Sequence, residues 1–159
     1  MNFKKLIAQK IETHNFAPFG QLILPAQDGK PYDDSDAHLN LRNGTPRFYI
    51  MRLHQRGRKF GQINRHCLCT QCLGALNGRE WFIAVAPPCD EDRPKIEDIV
   101  AFRIPGDCFI KLEAGTWHAG PYFDPEIVDF YNLELSDTNE RDRHTHNFLK
   151  SDDLEFEIV

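Results

Sequence analysis

The stretch EWFIAVAPP, Glu80–Pro88, is short, aromatic and β-branched, and is closed by prolines. A run of this kind between turn residues reads as a strand. LNGRE (Leu76–Glu80) leads into it with a glycine-based turn. RFYIMRL (Arg47–Leu53), IVAFRI (Ile99–Ile104) and IVDFYNLEL (Ile127–Leu135) share its character. GQINRHCLC (Gly61–Cys69) and CFIKLEAG (Cys108–Gly115) read as two further strands, with IPGD (Ile104–Asp107) as another turn. Helical signals are weak. THNFAPFG (Thr13–Gly20) holds one short turn capped by Thr13, and DEDRPKIED (Asp90–Asp98) holds another. Many closely spaced strands with few short helices predict an all-β class, as a small barrel or a double-sheet jelly roll.

The totals agree with that class. A chain of 159 residues without repeat, low-complexity tract or linker is expected to form a single domain over residues 1–159. Its 41% hydrophobic and 27% charged content is that of a globular protein. A net charge of −5 gives no reason to expect nucleic acid as a partner. The basic run RLHQRGRK (Arg52–Lys59) reads as a solvated turn between strands. No stretch has the apolar length to cross a bilayer, and MNFKKLIAQK lacks the apolar segment of a signal peptide. A soluble, cytoplasmic protein is expected, with no membrane partner. Five cysteines make a poor disulfide framework and would remain thiols in a reducing compartment.

Three groups of residues carry candidate chemistry. RHCLCTQC (Arg65–Cys72) places His66, Cys67, Cys69 and Cys72 close together. Structural zinc usually takes two separated ligand pairs, and strand alternation would turn Cys67 and Cys69 away from His66. These thiols therefore read as small buried hydrophobes. The second group is His66 and Gln71 with Glu113 and His118. Paired imidazoles beside a carboxylate and an amide, inside a barrel, can bind a divalent metal or supply acid and base groups. The third is DTNERDRHTHNF (Asp137–Phe148), where His144 and His146 share one face if the segment is a strand. Its polarity favours a surface loop or subunit contact over a metal site.

The order FAPFGQLI (Phe16–Ile23), RHCLCTQ (Arg65–Gln71), GTWHAGPYF (Gly115–Phe123) and VDFYNLEL (Val128–Leu135) resembles the ureidoglycolate lyase family, formerly called ureidoglycolate hydrolase. The sharpest pieces are Arg65-His66 followed by Thr70-Gln71, and Trp117-His118. The family belongs to the cupin superfamily, so the resemblance implies a double-stranded β-barrel. In the first cupin motif Gly61 and Gly78 match the ends and His66 the first histidine. Leu68 replaces the second histidine, and Gln71 stands near the glutamate. In the second motif Gly106, Gly115 and His118 match, while Glu113 takes the proline position. The implied metal set shrinks to His66, Gln71 and His118, for a divalent ion such as nickel and with no organic cofactor.

The resemblance further implies conversion of (S)-ureidoglycolate to glyoxylate and urea in allantoin and purine catabolism, by a homodimer. That cleavage requires a base for the hydroxyl proton, an acid for the departing nitrogen and a cation for the carboxylate. His66, His118 and Glu113 are the expected catalytic groups. Lys111, on the same strand face as Glu113, would hold the carboxylate. Gln71 would bind the ureido group and Trp117 would anchor the turn beside His118. Arg65 is expected to be structural. The alternatives are another metal-dependent cupin enzyme, such as an oxygenase or isomerase, and a non-catalytic module binding small carboxylates.

Overall fold

The computed structural model describes residues 1–159. In chain order the strands are β1 (Asn2–Leu6), β2 (Ala8–Lys10), β3 (Gly20–Ile23), β4 (Pro46–His54), β5 (Lys59–Phe60), β6 (Gln62–Arg65), β7 (Gln71–Ala75), β8 (Gly78–Ala86), β9 (Val100–Gly106), β10 (Phe109–Leu112), β11 (Trp117–Tyr122), β12 (Ile127–Leu135), β13 (His144–Asn147) and β14 (Leu154–Ile158). The helices are single turns: α1 (Thr13–Phe16), α2 (Thr138–Arg141) and α3 (Phe148–Ser151), with a 3₁₀ turn at Ile96–Asp98. None is long and apolar enough to cross a membrane.

The all-β class expected from the strand pattern is what forms. A five-stranded sheet runs β3-β10-β7-β12-β4, and a six-stranded sheet runs β13-β6-β11-β8-β9-β2. Each sheet keeps two free edges, so the pair is a double-sheet jelly roll and not a closed barrel. A third sheet, β1-β14-β5, covers the far side of the six-stranded one.

Strand β8 explains the layering. Trp81, Ile83 and Val85 point into one hydrophobic cluster, with Leu73, Ile110 and Phe130 of the five-stranded sheet. Phe82, Ala84 and Ala86 point the other way, into a second cluster with Phe60 and Phe156 of the third sheet. A strand apolar on both faces belongs in a middle layer. The turn before it uses Asn77 and Gly78, with φ values of 59° and 65°, the left-handed conformation that Asn-Gly pairs favour.

Several local expectations change. GQINRHCLC is not one strand: β6 stops at Arg65, because the carboxylate of Asp142 accepts from the backbone N–H groups of Cys67 and Leu68, each at 2.8 Å. Those amides are thereby removed from any strand ladder. CFIKLEAG ends as a strand at Leu112. The cap of α1 is Glu12, in a reciprocal box with Asn15, and not Thr13. The polar Asp137–Phe148 segment is no plain loop, since it forms α2 and then β13, which pairs with β6.

Candidate active site

Strand alternation carries His118 to the concave side of the middle sheet. On β11, Trp117 and Ala119 enter the cluster beneath the third sheet, so the residue between them faces the opposite way. Gly115, at φ 87°, makes the turn that starts this strand, and its N–H donates to the carbonyl of His66 at 2.6 Å. That bond ties the loop bearing His66 to the strand bearing His118. The two rings lie 5.1 Å apart between centroids, tilted by 53°.

Both imidazoles are oriented by main-chain carbonyls. His66 Nδ1 meets the carbonyl of Asp142 at 2.6 Å, and His118 Nδ1 meets that of Thr116 at 3.2 Å. A carbonyl can only accept, so each Nδ1 carries the proton and donates. Each Nε2 is left as a bare lone pair. Burial pushes the His118 pKa down to about 3, and the neighbouring His66 adds to that shift. Burial also lowers His66, opposed by its bond to Asp142. Both rings are therefore neutral near pH 7.

They open onto a cavity of about 540 Å³. Gln71, at the start of β7, lines it, as do Asn132 and Glu134 of β12. Gln71 Nε2 donates to Asn132 Oδ1 at 3.0 Å and to Glu134 Oε2 at 3.3 Å, and Asn132 Nδ2 donates to the Tyr49 hydroxyl at 3.1 Å. After these bonds, Gln71 Oε1 and Glu134 Oε1 remain buried without a partner. Leaving such atoms unmet costs free energy, and both belong to side chains that line the cavity. Burial raises the pKa of Glu134, with Arg47 opposing. Arg56, Lys59 and Arg143 supply positive charge to the same cavity.

Of the residues expected from sequence, His66, Gln71 and His118 meet in this cavity, whereas Glu113, Lys111 and Trp117 do not line it. Lys111 lies opposite Cys72 in the β10–β7 register, between Ile110 and Leu112, which both point into the inter-sheet core. Alternation thus sends it to the outer face of the five-stranded sheet, where its ammonium pairs with Glu113. Trp117 is a core residue, its indole N–H donating to Cys89 Sγ at 3.4 Å. Arg65 packs its guanidinium 4.4 Å over the Trp117 ring and bonds the Cys89 carbonyl at 2.9 Å, a structural placement. Sequence reasoning missed Asn132 and Glu134. Their signal lay in IVDFYNLEL, where they continue the buried face of Val128 and Phe130 with polar side chains.

Two bare imidazole nitrogens suit a divalent cation in donor type. The only three-donor group of His, Cys, Asp or Glu whose ligand atoms all fall within 4.8 Å of one another is Cys67, Asp142 and His144, beside His66 but outside the cavity lining. Within the cavity, His66 and His118 with the Gln71 amide are the residues that would hold such an ion, and it would polarise an oxygen of the substrate there. Of the thiols expected to be buried, Cys69 and Cys72 are, whereas Cys67 is exposed because β6 has ended before it. Cys89 is exposed as well, and burial pushes Cys72 and Cys108 up to about 11.

Comparison with known proteins gives a family. No curated protein sequence matches the chain. A crystal structure of a dTDP sugar isomerase from Desulfovibrio desulfuricans G20 aligns with a TM-score of 0.45 at 12% identity, covering 81% of each chain. The family model for ureidoglycolate lyase matches residues 3–151, nearly the whole length. On that match the chain is a member of the ureidoglycolate lyase family, and a lyase.

Proposed function

We propose that this lyase converts (S)-ureidoglycolate to glyoxylate and urea inside the cavity between the two large sheets. One observation carries the reading: two neutral imidazoles with free Nε2 atoms share a cavity with two buried oxygens that lack donors. A ureido group is rich in N–H donors, and Gln71 Oε1 and Glu134 Oε1 are the acceptors that match it. The substrate carboxylate pairs with Arg143, which has no carboxylate partner within 4.0 Å and bonds only Asn64 Oδ1 at 3.4 Å. This role replaces the one expected of Lys111.

His118 is the proton carrier in this reading. Its Nε2 takes the hydroxyl proton, the O–H electron pair becomes the second bond of the new carbonyl, and the C–N pair leaves on nitrogen. The same imidazolium then protonates that nitrogen, so urea departs and no net proton is consumed. A nearby substrate carboxylate favours the transient imidazolium, while the low intrinsic basicity of the ring makes it a ready donor. His66 holds the second neutral ring against the reacting centre.

The test is incubation with ureidoglycolate, with spontaneous decay subtracted, and separate assays of glyoxylate and urea. Equal release of both is expected, falling by about 10²–10⁴-fold in His118→Asn. Release no faster than the spontaneous rate would overturn the assignment.

The broader setting follows the same proposal: one cytoplasmic domain acting in allantoin breakdown as a homodimer. All five cysteines are free thiols, which supports a reducing compartment. The unpaired edge of β4, with Phe48 and Ile50 exposed, supports self-association.

A further inference from the structure

Two motifs play no part in the proposed cleavage: the thiol-rich segment after β6 and the His144–His146 pair. The fold brings one end of each together. Strand β13 runs antiparallel to β6 with His144 opposite Arg65, beside the loop that begins at His66. There the thiol of Cys67, the carboxylate of Asp142 and the imidazole of His144 place their ligand atoms within 4.8 Å of one another. His146 does not join them. Its ring packs 4.5 Å from Phe148 and its Nε2 lies 3.1 Å from Ser151 Oγ.

The arrangement has a fixed element and two accessible arms. The Asp142 side chain is 4% exposed, and each of its oxygens accepts one backbone N–H, from Cys67 or Leu68. A carboxylate oxygen so engaged keeps a lone pair for another partner. Cys67 and His144 are exposed, leaving an entry path from solvent. His144 Nε2 lies 3.9 Å from Asp142 Oδ1, beyond hydrogen-bond range. Around a tetrahedral zinc-type ion, neighbouring N and O ligands sit roughly 3.4 Å apart, so a movement of about half an ångström closes the pair. Arg143, the nearest opposing charge in sequence, turns its guanidinium toward Asn64 instead.

We propose that Cys67, Asp142 and His144 form a binding site for a zinc-type divalent cation, with a fourth position open to water. Thiolate, imidazole and carboxylate together are a donor set typical of zinc. The site lies outside the catalytic cavity but shares Asp142 with it, since the carbonyl of that residue orients His66. A bound ion would fix the segment carrying Asp142 and Arg143. Binding itself does not depend on the lyase reading.

The experiment is titration of the full-length, reduced protein with Co²⁺ alone, following the thiolate-to-cobalt charge-transfer band. The band is expected to saturate at one ion per chain, to vanish in Cys67→Ser and to require about tenfold or more higher cobalt in His144→Ala. Zn²⁺ added afterwards should bleach it. His118→Ala separates this site from the cavity imidazoles and should retain the band. Cys67→Ser and His144→Ala replace exposed side chains, so melting curves without metal should match the parent and confirm that both variants fold. No band, a band that survives Cys67→Ser, or one lost in His118→Ala would overturn the proposal. Asp142 would then be only a staple for the loop.

Discussion

At the scale of the residue, the decisive atoms are the two Nδ1 nitrogens of His66 and His118. Each is committed to a backbone carbonyl, which fixes the tautomer and turns the basic nitrogen outward. The burial that keeps His118 neutral also makes folding depend on pH. The folded chain takes up a proton on this ring only near pH 3, whereas the unfolded chain does so near 6.5. Stability is therefore complete above about pH 6.5 and is lost as pH falls toward 3. Urea melts of the parent and His118→Asn across that window should converge as the pH falls, because the variant lacks this titration. Parallel curves would mean that the ring is not held neutral by burial. His66, His118 and Gln71 were legible because unusual polar residues interrupt apolar strands near Gly-bearing turns. Lys111 misled because alternation says that it shares a face with Glu113 but not which face looks inward. That depends on its neighbours Ile110 and Leu112, both claimed by the core.

At the scale of the element, the loop from His66 to Thr70 shows a side chain replacing a strand ladder. The sequence GQINRHCLC has strand periodicity throughout, and nothing local announces that an aspartate far along the chain will take two of its amides. The end of β6 was illegible for that reason, and with it the proximity of Cys67 to His144. Asp142→Ala should lower stability by about 1–3 kcal/mol through the unmet amides. It should also lower kcat by roughly 10- to 100-fold with a smaller change in KM, as the loop bearing His66 is released from its two amide anchors. Asp142→Asn keeps an acceptor oxygen and should recover most of the stability. If Asp142→Ala melts and turns over like the parent, the loop is held by something else. By contrast, β12 was read from sequence with the bounds that it has, since its β-branched and aromatic residues run from Ile127 to a leucine-rich end at Leu135 with no distant group taking its amides.

At the scale of the whole molecule, the class was legible and the layering was not. Short strands and glycine turns announce a jelly roll. The third sheet rests on β1, β5 and β14, segments too short or too charged to stand out from their surroundings. The middle sheet is consequently the least forgiving layer. Ile83 has no exposed surface and sits among Phe102, Ile110 and Phe130, so Ile83→Ala should cost about 2–5 kcal/mol. Urea denaturation should show this as a lower midpoint with unchanged slope. A loss well below that range would indicate a core able to collapse around the missing atoms.

The third sheet also sets an order of events at the ribosome. Strand β1 pairs in parallel with β14, Asn2 opposite Leu154, so β1 stays unpaired in this sheet until β14 has been made. Until Phe156 emerges, the face formed by Trp117, Tyr122 and Phe148 has no cover. Between the emergence of Trp117 and that of Phe156 the nascent chain thus carries an adhesive surface, which is when a holding chaperone has most to offer it.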